Sequence, residues 1–180
     1  MNNLKIEDGV LLQYEGDEEV VAIPGTVKAI GDQAFRGCQS IKKVVMPGTV
    51  KTIGFGVFAQ CFNLEEVELP INVKKIPDQM CMGCQKLTTI TIPENVDTIG
   101  AYAFQGCLNL TSLKLPEKVK SIKANAFMSC GNLSELIIPN KDAKICGNAI
   151  EGCCHLTIGA PEGSAAEQLA AKKFIDFKKL

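Results

Sequence analysis

The residues best equipped for chemistry are nine cysteines, a single histidine and a run of carboxylates at Glu65, Glu66 and Glu68. Cys81 and Cys84 spell C-x-x-C, the spacing of zinc-binding and redox-active thiol pairs. Such a site needs a second pair or a histidine at ligand spacing, and neither accompanies it. Six cysteines, Cys38, Cys61, Cys84, Cys107, Cys130 and Cys153, instead recur in one column every 23 residues or so. Identical inward positions make a ladder of small thiols, and free cysteine is among the most buried residue types. The cysteine total is odd, and the start, MNNLKIEDGVLLQYEGDEE, has no basic region followed by an apolar core. Reduced packing thiols are therefore expected rather than disulfides, with nine thiols that react only on unfolding as the signature. His155 shares its column with Ser40, Asn63, Lys86, Asn109 and Asn132, a polar turn position rather than that of a general base. Three carboxylates on one strand do not make a cation cage. No G-x-S-x-G and no Gly-rich phosphate loop occurs, so no catalytic residue, metal ligand or cofactor is assigned and no enzyme is expected.

The columns come from a repeat. Units open at Pro24, Pro47, Pro70, Pro93 and Pro116, with a degenerate sixth at Pro139. Position three is Val27, Val50, Val73, Val96 and Val119; position eleven is Phe35, Phe58, Cys81, Phe104 and Phe127. A fixed period in the twenties with apolar residues at fixed offsets predicts a solenoid, in which stacking supplies the core. In Leu87-Thr88-Thr89-Ile90-Thr91-Ile92, alternation predicts a short parallel strand with Ile90 and Ile92 inward. The Val-x-x-Ile-Gly stretch then leads into Ala-Phe-x-x-Cys, whose close spacing predicts a single helical turn. The third unit departs most among the five full ones, with Pro77 for Gly, Met80 for Ala and Cys81 for Phe, a tolerated irregularity.

The whole chain, 1–180, reads as one domain. Residues 1–23 form an N-terminal cap, built on a hairpin around Asp8-Gly9. Five full repeats occupy 24–138, the degenerate one 139–158, and a C-terminal cap 159–180. In that cap Ser164 and Glu167 predict a capping box and a short helix, with Leu169 and Ala170 inward and a strand near Ile175-Asp176-Phe177. A formal net charge of −1 gives no bulk reason to expect nucleic acid. No apolar run reaches the ~18–20 residues of a transmembrane helix.

The pattern V-x-x-I-G-x-x-A-F-x-x-C-x-x-L-x-x-L-x-L-P, fitted by residues 93–116, resembles that of the BspA-like leucine-rich repeat family. Ile6-Glu7-Asp8-Gly9-Val10-Leu11 and Gly163-Ser164-Ala165-Ala166-Glu167 resemble that family's edges. The resemblance implies a leucine-rich repeat solenoid of the α/β repeat class, with one short parallel β-strand plus a helical turn per coil. It also implies a bacterial adhesion or protein-binding module, often on the cell surface. As written, the chain shows no leader and reads as cytoplasmic; the resemblance implies a surface or secreted location where a leader has been removed.

For such a module the strand ladder's outward face is the place to look. Outward residues of stacked strands lie ~4.8 Å apart between coils, so the coils together present a continuous surface. Lys43, Glu66, Glu68, Thr89, Thr91, Ser112, Lys114 and Glu135 are its candidate binding residues, facing a protein partner. A purely structural assembly scaffold and a cysteine-based metal or redox protein are the alternatives. Lys28, Lys51, Lys74 and Lys120, interrupted by Asp97, form a basic stripe elsewhere, read as solvated.

Overall fold

In the computed structural model, which describes residues 3–180, each repeat closes one coil of a solenoid. A hairpin of β1 (Leu4–Glu7) and β2 (Val10–Tyr14) opens it, turning through Asp8 and Gly9, both at positive φ. β3 (Val20–Ala22) follows. The coils then contribute β4 (Ala29–Ile30) and β5 (Lys43–Val45), β6 (Thr52–Ile53) and β7 (Glu66–Glu68), β8 (Lys75–Ile76) and β9 (Thr89–Ile90). β10 (Thr98–Ile99) and β11 (Ser112–Lys114), β12 (Ser121–Ile122) and β13 (Glu135–Ile137), β14 (Lys144–Ile145) and β15 (Thr157–Ala160) complete them. Helix α1 (Ala165–Lys173) and β16 (Asp176–Lys179) cover the far end.

The leucine-rich repeat solenoid is as expected, and two details of the coil differ. First, the Val-x-x-Ile stretch is itself a short strand, so each full coil carries two strands rather than one. Second, the expected helical turn is a pair of reverse turns. Arg36 N–H donates to the Gln33 carbonyl (2.9 Å) and Cys38 N–H to the Phe35 carbonyl (3.1 Å). The amides of Gln33, Phe35 and Gly37 donate instead to the next coil, to the carbonyls of Phe55, Val57 and Ala59. Left-handed residues four apart produce this path: Gln33, Gly56, Gln79, Tyr102 and Asn125 in one column, and Gly37, Gln60, Gly83, Gly106 and Ser129 in the other. A residue at positive φ cannot continue a right-handed helix, which is why glycine favours the second column.

Stacking places like side chains on like. Phe35, Phe58, Phe104 and Phe127 are fully buried, with Phe35 5.3 Å from Phe58 and Phe104 5.4 Å from Phe127, centroid to centroid. In the third coil Met80 and Cys81 are also fully buried, the larger Met offsetting the smaller Cys in a volume-conserving exchange.

That coil nevertheless disturbs both strand ladders. One face is divided into sheets β3-β5-β7-β9 and β11-β13-β15-β16, the other into β1-β2-β4-β6 and β8-β10-β12-β14. On the second face the cause is local. Gly54 N–H donates to the Ile30 carbonyl (2.8 Å) and Gly100 N–H to the Ile76 carbonyl (2.9 Å), but the equivalent donor for Ile53 would be Pro77, which has no N–H. The turn ladder runs on regardless, with Gln60 N–H on the Met82 carbonyl and Cys81 N–H on the Ala103 carbonyl, both at 2.7 Å.

Tyr14 caps the first coil, its ring 5.2 Å from that of Phe35 and its hydroxyl donating to the Glu18 carboxylate. Burial, aided by that hydrogen bond, pushes the Tyr14 hydroxyl up to about 12. At the other end Ser164 Oγ accepts from Glu167 N–H (3.2 Å), as the capping box predicts. The Glu167 carboxylate closes one residue early, on Gly163 N–H (2.6 Å). Ala166, Leu169 and Ala170 are the buried helix residues, and β16 lies parallel to β15.

All nine cysteines are free thiols. The ladder thiols donate to carbonyls of the preceding coil: Cys61 to Phe35 (2.9 Å), Cys84 to Phe58 (3.1 Å), Cys107 to Cys81 (3.2 Å), Cys130 to Phe104 (3.0 Å) and Cys153 to Phe127 (3.1 Å). Each cysteine thus fills a small inward gap and also joins two coils. Burial pushes the thiols of Cys61, Cys81 and Cys107 well above their ordinary value. The expectation that all nine are shielded needs correction, because Cys146 and Cys154 are exposed and Cys38 is half-buried. Both exposed residues lie outside the ladder column. Alkylation of the native protein is expected to modify Cys146 and Cys154 fast and Cys38 slowly, and the six buried thiols only on unfolding. Fast modification of Cys81 or Cys84, read by peptide mass spectrometry, would contradict their packing role.

Candidate functional site

Strand alternation turns Val44, Val67, Ile90, Leu113 and Leu136 into the core and sends their neighbours outward. The candidate residues accordingly share one face, but on two sheets. Lys43, Glu66, Glu68 and Thr89 lie on β5, β7 and β9, with Thr91 just past the end of β9. Ser112, Lys114 and Glu135 lie on β11 and β13, across the break. The continuous surface expected is therefore interrupted at its centre. A hollow of about 270 Å³ lies at the interruption, bounded by Thr91, Ser112, Lys114 and Glu135.

Charges at either end are mostly paired within the protein. Lys43 Nζ reaches Glu68 Oε1 (2.5 Å) and Glu66 Oε1 (3.1 Å), and hydrogen bonds to these two carboxylates hold the lysine above its usual range. Lys42 meets Glu19 (2.7 Å) and Glu135 meets Lys178 (3.6 Å). Exposed pairs of this kind add little stability. The neighbouring serine and threonine column is partly structural, since Thr88 Oγ1 donates to the Glu65 carbonyl (3.2 Å) and Ser134 Oγ to the Thr111 carbonyl (3.0 Å).

Between β7 and β9 the face deepens into a groove of about 430 Å³. Glu66, Glu68, Thr89 and Thr91 rim it, and Leu69, Ile71, Ile92 and Pro93 supply an apolar side. Ile71 is 65% exposed, an uncommon position for so large an apolar side chain. The columns chosen from the sequence omitted this apolar side. One signal was present: Ile71 stands where other repeats place Gly25, Gly48, Glu94, Glu117 and Asn140.

The other chemically capable residues are dispersed. His155 is exposed, and Cys81 and Cys84 are buried. Among the described residues, no group of three His, Cys, Asp or Glu side chains comes together where a metal ion could be held. Nor, among the described residues, is any helix long and apolar enough to cross a membrane.

The profile of the BspA type leucine rich repeat region, in six copies, matches residues 13–101 and 51–163. The chain belongs to this family. Solved structures of bacterial leucine-rich repeat proteins are correspondingly similar. The T. pallidum leucine-rich repeat protein is 27% identical with a TM-score of 0.75, covering 83% of this chain and 72% of its own. A leucine-rich repeat protein from Bacteroides ovatus is 31% identical with a TM-score of 0.74, over 84% of this chain and 42% of its own. A leucine rich cell surface protein from Faecalibacterium prausnitzii is 25% identical with a TM-score of 0.56, over 88% of this chain and 36% of its own. This chain thus spans less than half of the last two. No curated protein matches it.

Proposed function

We propose that the protein is a non-enzymatic recognition module whose strand face holds a partner protein, as an adhesion or protein-interaction domain. The groove between β7 and β9 carries this reading, because it sets an apolar wall of Leu69, Ile71, Ile92 and Pro93 beside the carboxylates of Glu66 and Glu68. An apolar centre with a polar rim is the usual anatomy of a protein-binding patch. Lys43 already neutralises part of the rim, so the partner segment would present an apolar anchor flanked by one basic group rather than a basic cluster. The similarity to a Faecalibacterium prausnitzii protein named as a cell surface protein supports work at the cell exterior.

The test is the triple substitution Thr89→Arg, Thr91→Arg and Ser112→Arg. All three side chains are exposed, so folding should be intact by circular dichroism. Proteins captured by the parent and identified by mass spectrometry are expected to disappear from the variant's set, with affinity lowered at least tenfold, about 1.4 kcal/mol. An unchanged set and unchanged affinities would sink the reading.

A further inference from the structure

We propose that the groove between β6 and β8, on the second strand face, is a separate binding site for an acidic peptide segment of a partner protein. The groove measures about 610 Å³ and arises where Pro77 withholds a hydrogen bond from the Ile53 carbonyl. Its walls are the exposed Lys51, Lys74 and Lys75, and its floor includes half-buried Ile53 and buried Val73. A second hollow of about 540 Å³ shares Lys74 and extends the basic lining to Lys118 and Lys120, with Asp97 the single carboxylate that lines it.

Among the described residues these cations have no carboxylate partner, although Lys118 Nζ donates to Asn95 Oδ1 (2.8 Å). The ion pairs among the described residues use Lys42, Lys43, Lys123, Lys173, Lys178 and Lys179. Lys51, Lys74, Lys75 and Lys120 are in none of them, although the chain carries a formal net charge of −1. Like charges held together without counterions repel one another, and an anionic ligand relieves that repulsion. The occupant's chemistry follows from the lining. Apolar floor residues favour a peptide with carboxylate and aliphatic side chains. Single-stranded nucleic acid would call for aromatic stacking platforms, and no aromatic residue lines either hollow. Lysine, a point charge on a flexible stem, suits carboxylates without demanding one fixed geometry.

The experiment uses fluorescence anisotropy with a labelled decapeptide of alternating Glu and Val, against the same peptide with Gln for Glu. Binding of the Glu peptide is expected, weakening as salt is raised, with the Gln peptide at least tenfold weaker, a difference of about 1.4 kcal/mol. Lys51→Glu with Lys74→Glu should abolish it, while the Thr89, Thr91 and Ser112 triple variant should retain it. Pro77→Gly returns an amide to the Ile53 carbonyl, so it should close the groove and weaken binding with all lysines in place. Equal binding of the two peptides, retention by the lysine variant, or unchanged affinity in Pro77→Gly would overturn the proposal. So would heparin or single-stranded DNA binding tightly where the Glu peptide does not. Loss of partner capture on the first face would leave this result untouched, so the two readings fail separately.

Discussion

Replacing Phe104 by alanine is expected to lower stability by about 3–5 kcal/mol, the range for truncating a buried aromatic side chain. Phe104 is fully buried, and its ring stacks on Phe127 at an interplanar angle of 8°. On the other side it meets the third coil, where Cys81 takes the phenylalanine position and leaves no aromatic neighbour. The cavity would be lined by stacked coils joined through the turn ladder, so collapse around it is costly. For a chain of this size that loss corresponds to a fall of about 6–20 °C in melting temperature. Phe55→Ala is the matched control, because Phe55 is 37% exposed and should give a much smaller change. Equal melting of the Phe104 variant and the parent would contradict the packing described.

Gly100→Ala is expected to be strongly disruptive for a single added methyl group, as is Gly54→Ala, its equivalent two coils earlier. A β-carbon there would lie 2.5 Å from both the Asp78 nitrogen and the Pro77 carbonyl carbon, backbone atoms of the preceding coil. Those atoms cannot swing aside as a side chain would, so the coils must separate. The contact also includes Asp78 Oδ1, which accepts from Ala101 N–H at 2.9 Å and would be pushed off it. Overpacking of this kind costs about 1–3 kcal/mol. Gly131→Ala is the control, since nothing lies within 4 Å of its added carbon. Denaturant titration of the pair should show a lower midpoint for Gly100→Ala alone. Matching midpoints would mean that the coils are not in contact at this point.

Much of this architecture was legible because stacking turns sequence offsets into columns. A repeat that places Val, Ile, Phe, Cys and Leu at constant offsets has one economical way to bury them, each above its counterpart. The hairpin at Asp8-Gly9 and the cap at Ser164 were equally readable, since their chemistry is local. The turn that replaced the expected helix was not. Gln33, Gln79 and Tyr102 adopt positive φ without being glycine, because bonding to the neighbouring coil compensates a conformation their own side chains disfavour. Pro77 was visible as an irregularity, but its consequence was not. A missing N–H matters only when the facing carbonyl is known, and that carbonyl belongs to Ile53, a coil away.

The candidate face divides in the same manner. Its outward residues followed from period-two alternation, which depends on the strand alone. The grooves depended on how coils meet. Ile71, Ile92 and Pro93 enter the first site from a turn and a strand exit, and Lys51 joins Lys74 and Lys75 in the second from an adjacent coil. By itself, then, the sequence determined the family, the repeat, the core columns and the caps, because these rest on local pattern and its periodic repetition. The tertiary structure alone decided where the ladders break, which lysines gather without counterions and which cysteines meet solvent, because each depends on contacts between residues a full coil apart.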